Sequence, residues 1–524
     1  MSKVAVLGVF IAILAITTIA FAGLFTWQYI TNTPSGDNPT QPDTTTDTGC
    51  PKYPKPQEID FTKHEEFKNF FEWIDSHVAS LVDENARPSI TANLVYLDKV
   101  IWSGYYGRVN KSTTVKPNEN TIYRIGSISK VFPVLFLFKL WEDGKLDLYD
   151  PVTKYAPDFN IGRPLGTTNK INLIDIASQL SGLAASLPYS RLNESVIIYN
   201  GTLGDALQLL QSQILVAEPR SRCYYSNLAY ALLGHILARN FTTDGNFENW
   251  AKQNIADKLD LTNTGFTYTT DVRAKMAAGY LPSGVQAPVY ELLWYSPAGN
   301  YYSTIADLAK LSMSFMETSK TVLKHETLTE ILRPRKTCRH DYLVNMTGSP
   351  WEMNKLHDYL VVSKNGALEG YTSDMAMIPD LKLSFNILRA GFSSEDTARI
   401  VLDKAIPLFR DTLRKMQQKI MPAPNPEKYV GFFSYYNLEN QTISVNENGI
   451  LIMRNSQSPP QALSAGLSYI SETVFQLLLM GSGFPCIGNL DKQNGGFVHF
   501  KEFVNGKYNQ FDFPETYAYG FKRV

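Results

Sequence analysis

From Val131 to Trp141 the chain carries a single charged side chain, Lys139, and the run ends at Glu142-Asp143-Gly144. It is too long for an ordinary strand, and Gly144 stands where a helix C-terminal cap belongs, so a helix is predicted. Immediately before it lies Gly126-Ser127-Ile128-Ser129-Lys130. A serine at the head of a helix and a lysine three positions on share one face. An amine beside a hydroxyl is what an activated nucleophile needs. In isolation the same pattern also reads as a capping serine followed by a surface lysine. Pro133, inside the run, is expected to remove a hydrogen bond and kink the axis.

The segments around this stretch predict an α/β (α+β) architecture. An amphipathic helix is expected from His64 to Val82, with Phe67, Phe70, Phe71, Ile74 and Val78 on one face. Two strands follow at Ile90–Tyr96 and Val100–Tyr106, joined by a turn at Leu97-Asp98-Lys99. A long, mostly helical stretch then extends to Lys320. Strands return at Leu360–Ser363, Asp374–Ile378 and Leu383–Leu388, before an amphipathic helix opening at Ser393-Ser394-Glu395-Asp396 and running to Met416. Strands at both ends with helices between predict one antiparallel sheet assembled from distant parts of the chain, flanked by helices and carrying a helical subdomain. Residues 59–420 form this domain. Beyond Pro422-Ala423-Pro424-Asn425-Pro426 the texture is β, with hairpin signals at Asn448-Gly449 and Asn505-Gly506, so residues 427–524 are read as a small antiparallel domain.

Two further elements raise the functional reading. Tyr225-Ser226-Asn227 precedes another apolar helix, and Lys364-Asn365-Gly366-Ala367 ends a predicted strand. Taken alone, Tyr225 and Asn227 read as a buried aromatic and a helix cap, and Lys364 as a solvated edge charge. Other chemistries find little. The 7 histidines show neither His-x-His nor His-Glu-x-x-His, so no metal site is expected. Gly-x-Ser-x-Gly and a phosphate-binding glycine loop are both missing. No cofactor is called for. A net charge of −1 with 19% charged residues gives no field for nucleic acid. Cys50, Cys223, Cys338 and Cys486 form no Cys-x-x-Cys pair and leave three disulfide connectivities open.

In this order the three elements resemble the serine β-lactamase and penicillin-binding-protein superfamily, whose motifs are Ser-x-x-Lys, Tyr-x-Asn and Lys/His-Thr-Gly. The likeness is to class C β-lactamases, D-Ala-D-Ala carboxypeptidases, related esterases and animal membrane-anchored β-lactamase-like proteins of the β-lactamase-like 1 type. Gly144 to Val152, Leu180-Ser181-Gly182-Leu183, Ser226 to Leu237 and Pro297-Ala298-Gly299 match the family's flanking segments. The resemblance implies a β-lactamase/transpeptidase-like fold and a serine hydrolase acting on an amide, peptide or ester. Ser127 would be the nucleophile, with either Lys130 or Tyr225 taking its proton. Asn227 would orient Lys130 and a substrate amide, and Lys364 would add positive potential. Asn365 and Gly366 would complete the substrate strand, with the backbone N–H groups of Ser127 and Ala367 as the oxyanion hole. Asn365 departs from the family's threonine.

The N-terminal segment suggests where such a domain would work. Val4 to Trp27 carries no charge, which suits a transmembrane helix within an anchor covering residues 1–30; a cleaved signal peptide is the competing reading. Lys3 precedes the span and no Lys or Arg follows until Lys52, so the N-terminus is expected in the cytosol and the rest outside or in a lumen. Residues 31–58 read as a tether. Candidate N-glycosylation sequons start at Asn110, Asn193, Asn200, Asn240, Asn345 and Asn440. The expectation is a single-pass, membrane-anchored extracytosolic hydrolase with a small-molecule or peptide substrate; the alternative is a catalytically silent ectodomain with a binding or assembly role.

Overall fold

Ser89–Tyr96 (β1) and Lys99–Gly107 (β2) pair as a hairpin whose turn places Leu97 at φ 53°. The computed structural model describes residues 54–163, 166, 168–188, 199–338, 345–417, 420–436, 439–456, 464–480, 496–514 and 518–524. They fall into two compact units divided between residues 419 and 420.

In the larger unit, Tyr123–Arg124 (β3) and Tyr302–Ser303 (β4) form a small ladder of their own. Lys336–Thr337 (β5), Met346–Thr347 (β6), Glu352–Leu356 (β7), Tyr359–Leu368 (β8), Tyr371–Ile378 (β9) and Leu383–Ala390 (β10) join β1 and β2 in an antiparallel sheet. Its order is β2-β1-β10-β9-β8-β7-β6-β5. Segments about three hundred residues apart are therefore neighbours, with Ser89 opposite Ala390. Strands β1, β9 and β10 are buried along their whole length, so both faces of the sheet must be covered.

Alternation along β9 divides the two cores: Met375 and Met377 face one, Ala376 and Ile378 the other. Helices α1 (Glu65–Ser80) and α5 (Thr397–Gln417) cover the second face. There Phe67 meets Phe409 edge to face at 4.9 Å. Pro407 lies inside α5 and has no N–H for the Asp403 carbonyl one turn back. That carbonyl instead lies 2.9 Å from His357 Nε2, on the turn between β7 and β8.

The first face carries α2 (Val131–Glu142), α3 (Asn227–Phe241) and α4 (Ile305–Phe315). Two expectations are corrected here. Ser127 lies in a 3-10 turn, Gly126–Lys130, and the α-helix starts only at Val131. Pro133 is therefore in the helix's first turn, where its missing N–H would have had no intrahelical partner, so the expected kink has no cause. The stretch to Lys320 is less helical than predicted: short helices such as Leu173–Ala177 and Leu203–Leu210 alternate with irregular loops. Cys223 and Cys338 form a disulfide with their Cα atoms 5.6 Å apart. Cys50, Cys486, Asn193 and the apolar run Val4–Trp27 lie outside the described residues, among which no helix is long and apolar enough to cross a membrane. Asn200, Asn240 and Asn345 are exposed, and Asn240 Nδ2 donates to Tyr155 O at 2.9 Å and Ile236 O at 2.8 Å. Asn110 Oδ1 likewise accepts from Ser112 and Tyr280, and Asn440 is half-buried.

The smaller unit is a closed eight-stranded barrel: Gly431–Tyr435 (β11), Glu439–Val445 (β12), Leu451–Asn455 (β13), Ser464–Ser471 (β14), Val474–Met480 (β15), Phe497–Val504 (β16), Lys507–Phe513 (β17) and Ala518–Arg523 (β18). Pairing of Phe433 with Arg523 closes it. Asn505-Gly506 makes the predicted two-residue hairpin, at φ 51° and 80°. Rings of Tyr429, Phe433, Phe475, Phe500 and Phe511 pack together in its core.

Phe67 has 0% exposure, so Phe67→Ala is expected to lower the unfolding free energy by about 3–5 kcal/mol. Denaturant titration checks this; a loss below about 1 kcal/mol would contradict the packing described.

Candidate active site

The turn before α2 is shaped by contacts that only small groups allow. Gly126 is at φ 49°, and a Cβ there would lie 2.9 Å from Ala367 N. A Cβ on Gly366 would sit 2.0 Å from Ile125 O, so glycine at 366 is required for β8 to lie against the turn. Ser373 Oγ on β9 donates to that same Ile125 O at 2.9 Å. Ser129 Oγ donates to Gly126 O at 2.6 Å and accepts from Tyr301 N at 3.0 Å. Held from both sides, the turn buries Gly126, Ile128, Ser129 and Lys130 and leaves Ser127 half-accessible.

Tyr225 and Asn227 arrive from the start of α3. Ser226 is the helix N-cap, accepting from Ala229 N at 3.0 Å and donating to Ala184 O at 2.6 Å. The loop before it is pinned by Gln179, whose Oε1 accepts from Ser226 N at 2.7 Å, and by the Cys223–Cys338 bridge two residues upstream of Tyr225. Ion pairing of Arg220 with the buried Asp175 at 2.5 Å holds its base. Neither Gln179 nor Asp175 stood out in the sequence.

Tyr225 Oη donates to Ser127 Oγ at 2.5 Å. Lys130 Nζ lies 2.8 Å from Ser127 Oγ, 2.7 Å from Asn227 Oδ1 and 2.7 Å from Ala298 O. The carbonyl of Ala298 can only accept, and Asn227 presents its oxygen, so two of the amine's positions carry protons. The third faces Ser127, where an ammonium donates and a neutral amine accepts. Burial, with a contribution from the nearby Lys364 charge, pulls Lys130 below the ordinary lysine value, although Tyr225 and Glu352 oppose this. Burial pushes the Tyr225 phenol up, but the Lys130 and Lys364 charges outweigh it and the net shift is downward. Ser127, Lys130 and Tyr225 thus form one proton-sharing group.

Lys364 on β8 is 1% exposed, 5.5 Å from the centre of the Tyr225 ring, and ion-paired to Glu352 of β7 at 2.5 Å. Burial works against its charge, but Glu352 prevails and raises its pKa. The other Glu352 oxygen accepts from Asn365 N at 3.1 Å. Glu352 is the acidic member that sequence reasoning missed. Its strand, Glu-Met-Asn-Lys-Leu, is short and polar, and its hairpin turn is His357-Asp358 at φ 47° and 70° instead of Asn-Gly.

A cavity of about 240 Å³ opens beside Ser127 and is also lined by Asn227, Ala298, Ala367 and Glu369. Asn365 is exposed, and like Lys364 and Gly366 it is not among the residues that line this cavity. Among the described residues no group of three or more His, Cys, Asp or Glu side chains could hold a metal.

A family model described as Beta-lactamase matches residues 74–405. A human protein named beta-lactamase-like 1 is 35% identical over 474 residues, covering 86% of this chain and 93% of its own. Beta-lactamase-like protein 2 of Dictyostelium discoideum is 30% identical over 492 residues, covering 84% and 86%. Among solved structures, the β-lactamase/D-alanine carboxypeptidase of Yersinia pestis matches with TM-score 0.53 at 21% identity, over 65% of this chain and 99% of its own. The octameric penicillin-binding protein homologue of Pyrococcus abyssi matches with TM-score 0.54 at 19% identity, over 87% and 98%. At these identities the two structures share the fold alone.

Removing Glu352 strands a buried ammonium. Glu352→Ala is therefore expected to cost about 3–5 kcal/mol of stability, measured by denaturant unfolding, and a change under about 1 kcal/mol would show that Lys364 is not held as described.

Proposed function

The chain belongs to the beta-lactamase family, and on that premise we propose that it is an active serine hydrolase that cleaves an amide, peptide or ester through an acyl-enzyme on Ser127. One observation carries the reading: Ser127 Oγ is within hydrogen-bond reach of both Lys130 Nζ and Tyr225 Oη, at 2.8 and 2.5 Å. A neutral alcohol needs such a base before it can attack. In the proposed step Ser127 Oγ bonds to the substrate carbonyl carbon as its proton passes to the Lys130–Tyr225 pair. The carbonyl oxygen takes the negative charge and is met by the N–H groups of Ser127 and Ala367, whose backbone segments are in contact. Collapse breaks the bond to the leaving group, which receives the proton held by the pair. Water then attacks the ester, its proton following the same route, and Ser127 is freed.

Asn227 and Ala298 hold the Lys130 amine facing Ser127. Lys364 acts through the Tyr225 ring, favouring the phenolate. We extend the proposal to topology: the apolar run Val4–Trp27 anchors the chain with its hydrolase domain outside the cytosol, as the charge pattern around it suggests.

A fluorophosphonate or β-lactam probe tests the chemistry. Covalent labelling of the full chain that disappears in Ser127→Ala is expected; no labelling under conditions that label a known relative would favour a silent ectodomain. Tyr225→Phe removes one of the two groups on Ser127 Oγ and is expected to slow labelling by a factor on the order of 10²–10⁴, measured as the second-order rate. An unchanged rate would remove Tyr225 from the mechanism.

A further inference from the structure

The cavity beside Ser127 has a sign. Of the side chains that line it, only Glu369 carries a formal charge. Glu369 occupies the first position of the tight turn between β8 and β9, directly after Ala367 and Leu368. Leu368 pairs with Tyr371, so Glu369 and Gly370 alone make the turn, and Gly370 is at φ 77°. The backbone that would hold the oxyanion is thus continuous with a half-buried carboxylate in the same cavity.

The neighbouring cations Lys130, Lys364 and Arg124 are not among the lining residues. Lys130 is saturated by Ser127, Asn227 and Ala298, and Lys364 is ion-paired with Glu352. Arg124 is buried against the Tyr290 ring, with its Cζ 4.5 Å from the ring centre and its Nη2 on Tyr290 O at 2.9 Å. Tyr290 and Tyr295 complete an aromatic wall beside the carboxylate. An acid set among aromatic rings favours an organic cation, which meets the charge of one and the π-faces of the others. A carboxylate placed there would meet repulsion in a partly desolvated space.

We propose that Glu369 sets specificity, so that the site takes substrates bearing an ammonium or guanidinium group on the portion lying along the β8–β9 turn and rejects those with a carboxylate there. The proposal rests on the hydrolase reading, but charge selectivity can be measured without turnover. Binding of hexyltrimethylammonium and of heptanoate to full-chain Ser127→Ala by calorimetry separates the two questions. The ammonium is expected to bind about tenfold or more tighter than the carboxylate, the scale for unit charges a few ångströms apart near a protein surface. Adding Glu369→Gln should bring the two affinities together. Equal affinities in Ser127→Ala, a preference for heptanoate, or a preference that survives Glu369→Gln would overturn the assignment. Fluorophosphonate labelling of the chain with Ser127 intact reports separately on the hydrolase reading.

Discussion

The buried Lys130 amine is the contact on which the larger unit's organisation turns. An ammonium with no exposure is costly to place in a protein interior unless its protons are met by acceptors. Here the acceptors come from three places in the chain: Ser127 one turn away, Asn227 at the start of α3, and the Ala298 carbonyl. Satisfying one side chain therefore draws the nucleophile turn, the Tyr225 loop and the segment before β4 to a single point. The same bonds that make burial tolerable aim the amine at the serine. Stability and chemistry share one set of contacts.

The sheet supplies the other half of the site by close approach. Gly366 lets β8 pass against Ile125 O, and Ser373 from β9 bonds that carbonyl. Glu352 on β7 then neutralises Lys364 and accepts from Asn365 N, fixing the strand at the residue before that approach. A positive charge is thus kept beside Tyr225 at low exposure without being left unpaired. Its effect reaches the serine through the phenol, whose proton it helps to release.

Much of this was legible in the sequence because the motifs are local. Ser127, Lys130, Tyr225, Asn227 and Lys364 all converge where the ordered motifs implied they would, since short spacings on a helix start or a strand survive any long-range arrangement. Contacts made only by folding were not legible. Glu352 lies on a short polar strand with a turn lacking Asn-Gly, and Gln179 acts through a loop. Pro133 was misread by one turn of helix: the 3-10 start at Gly126 moved the α-helical register downstream. The β texture of the tail was visible residue by residue, whereas closure into a barrel depends on Phe433 meeting Arg523 across the whole unit.

The central claim is that Lys130 and Tyr225 act on Ser127 as one titrating pair, and the pH dependence of the covalent labelling rate tests it most directly. The base must be deprotonated, so the rate should rise with pH through the pair's apparent pKa. Burial lowers Lys130 and the neighbouring lysine charges lower Tyr225, so the midpoint should lie below that of an ordinary lysine. Tyr225→Phe should move that midpoint as well as lower the rate. A rate that stays flat to pH 10 and above, or a midpoint indifferent to Tyr225→Phe, would contradict the account.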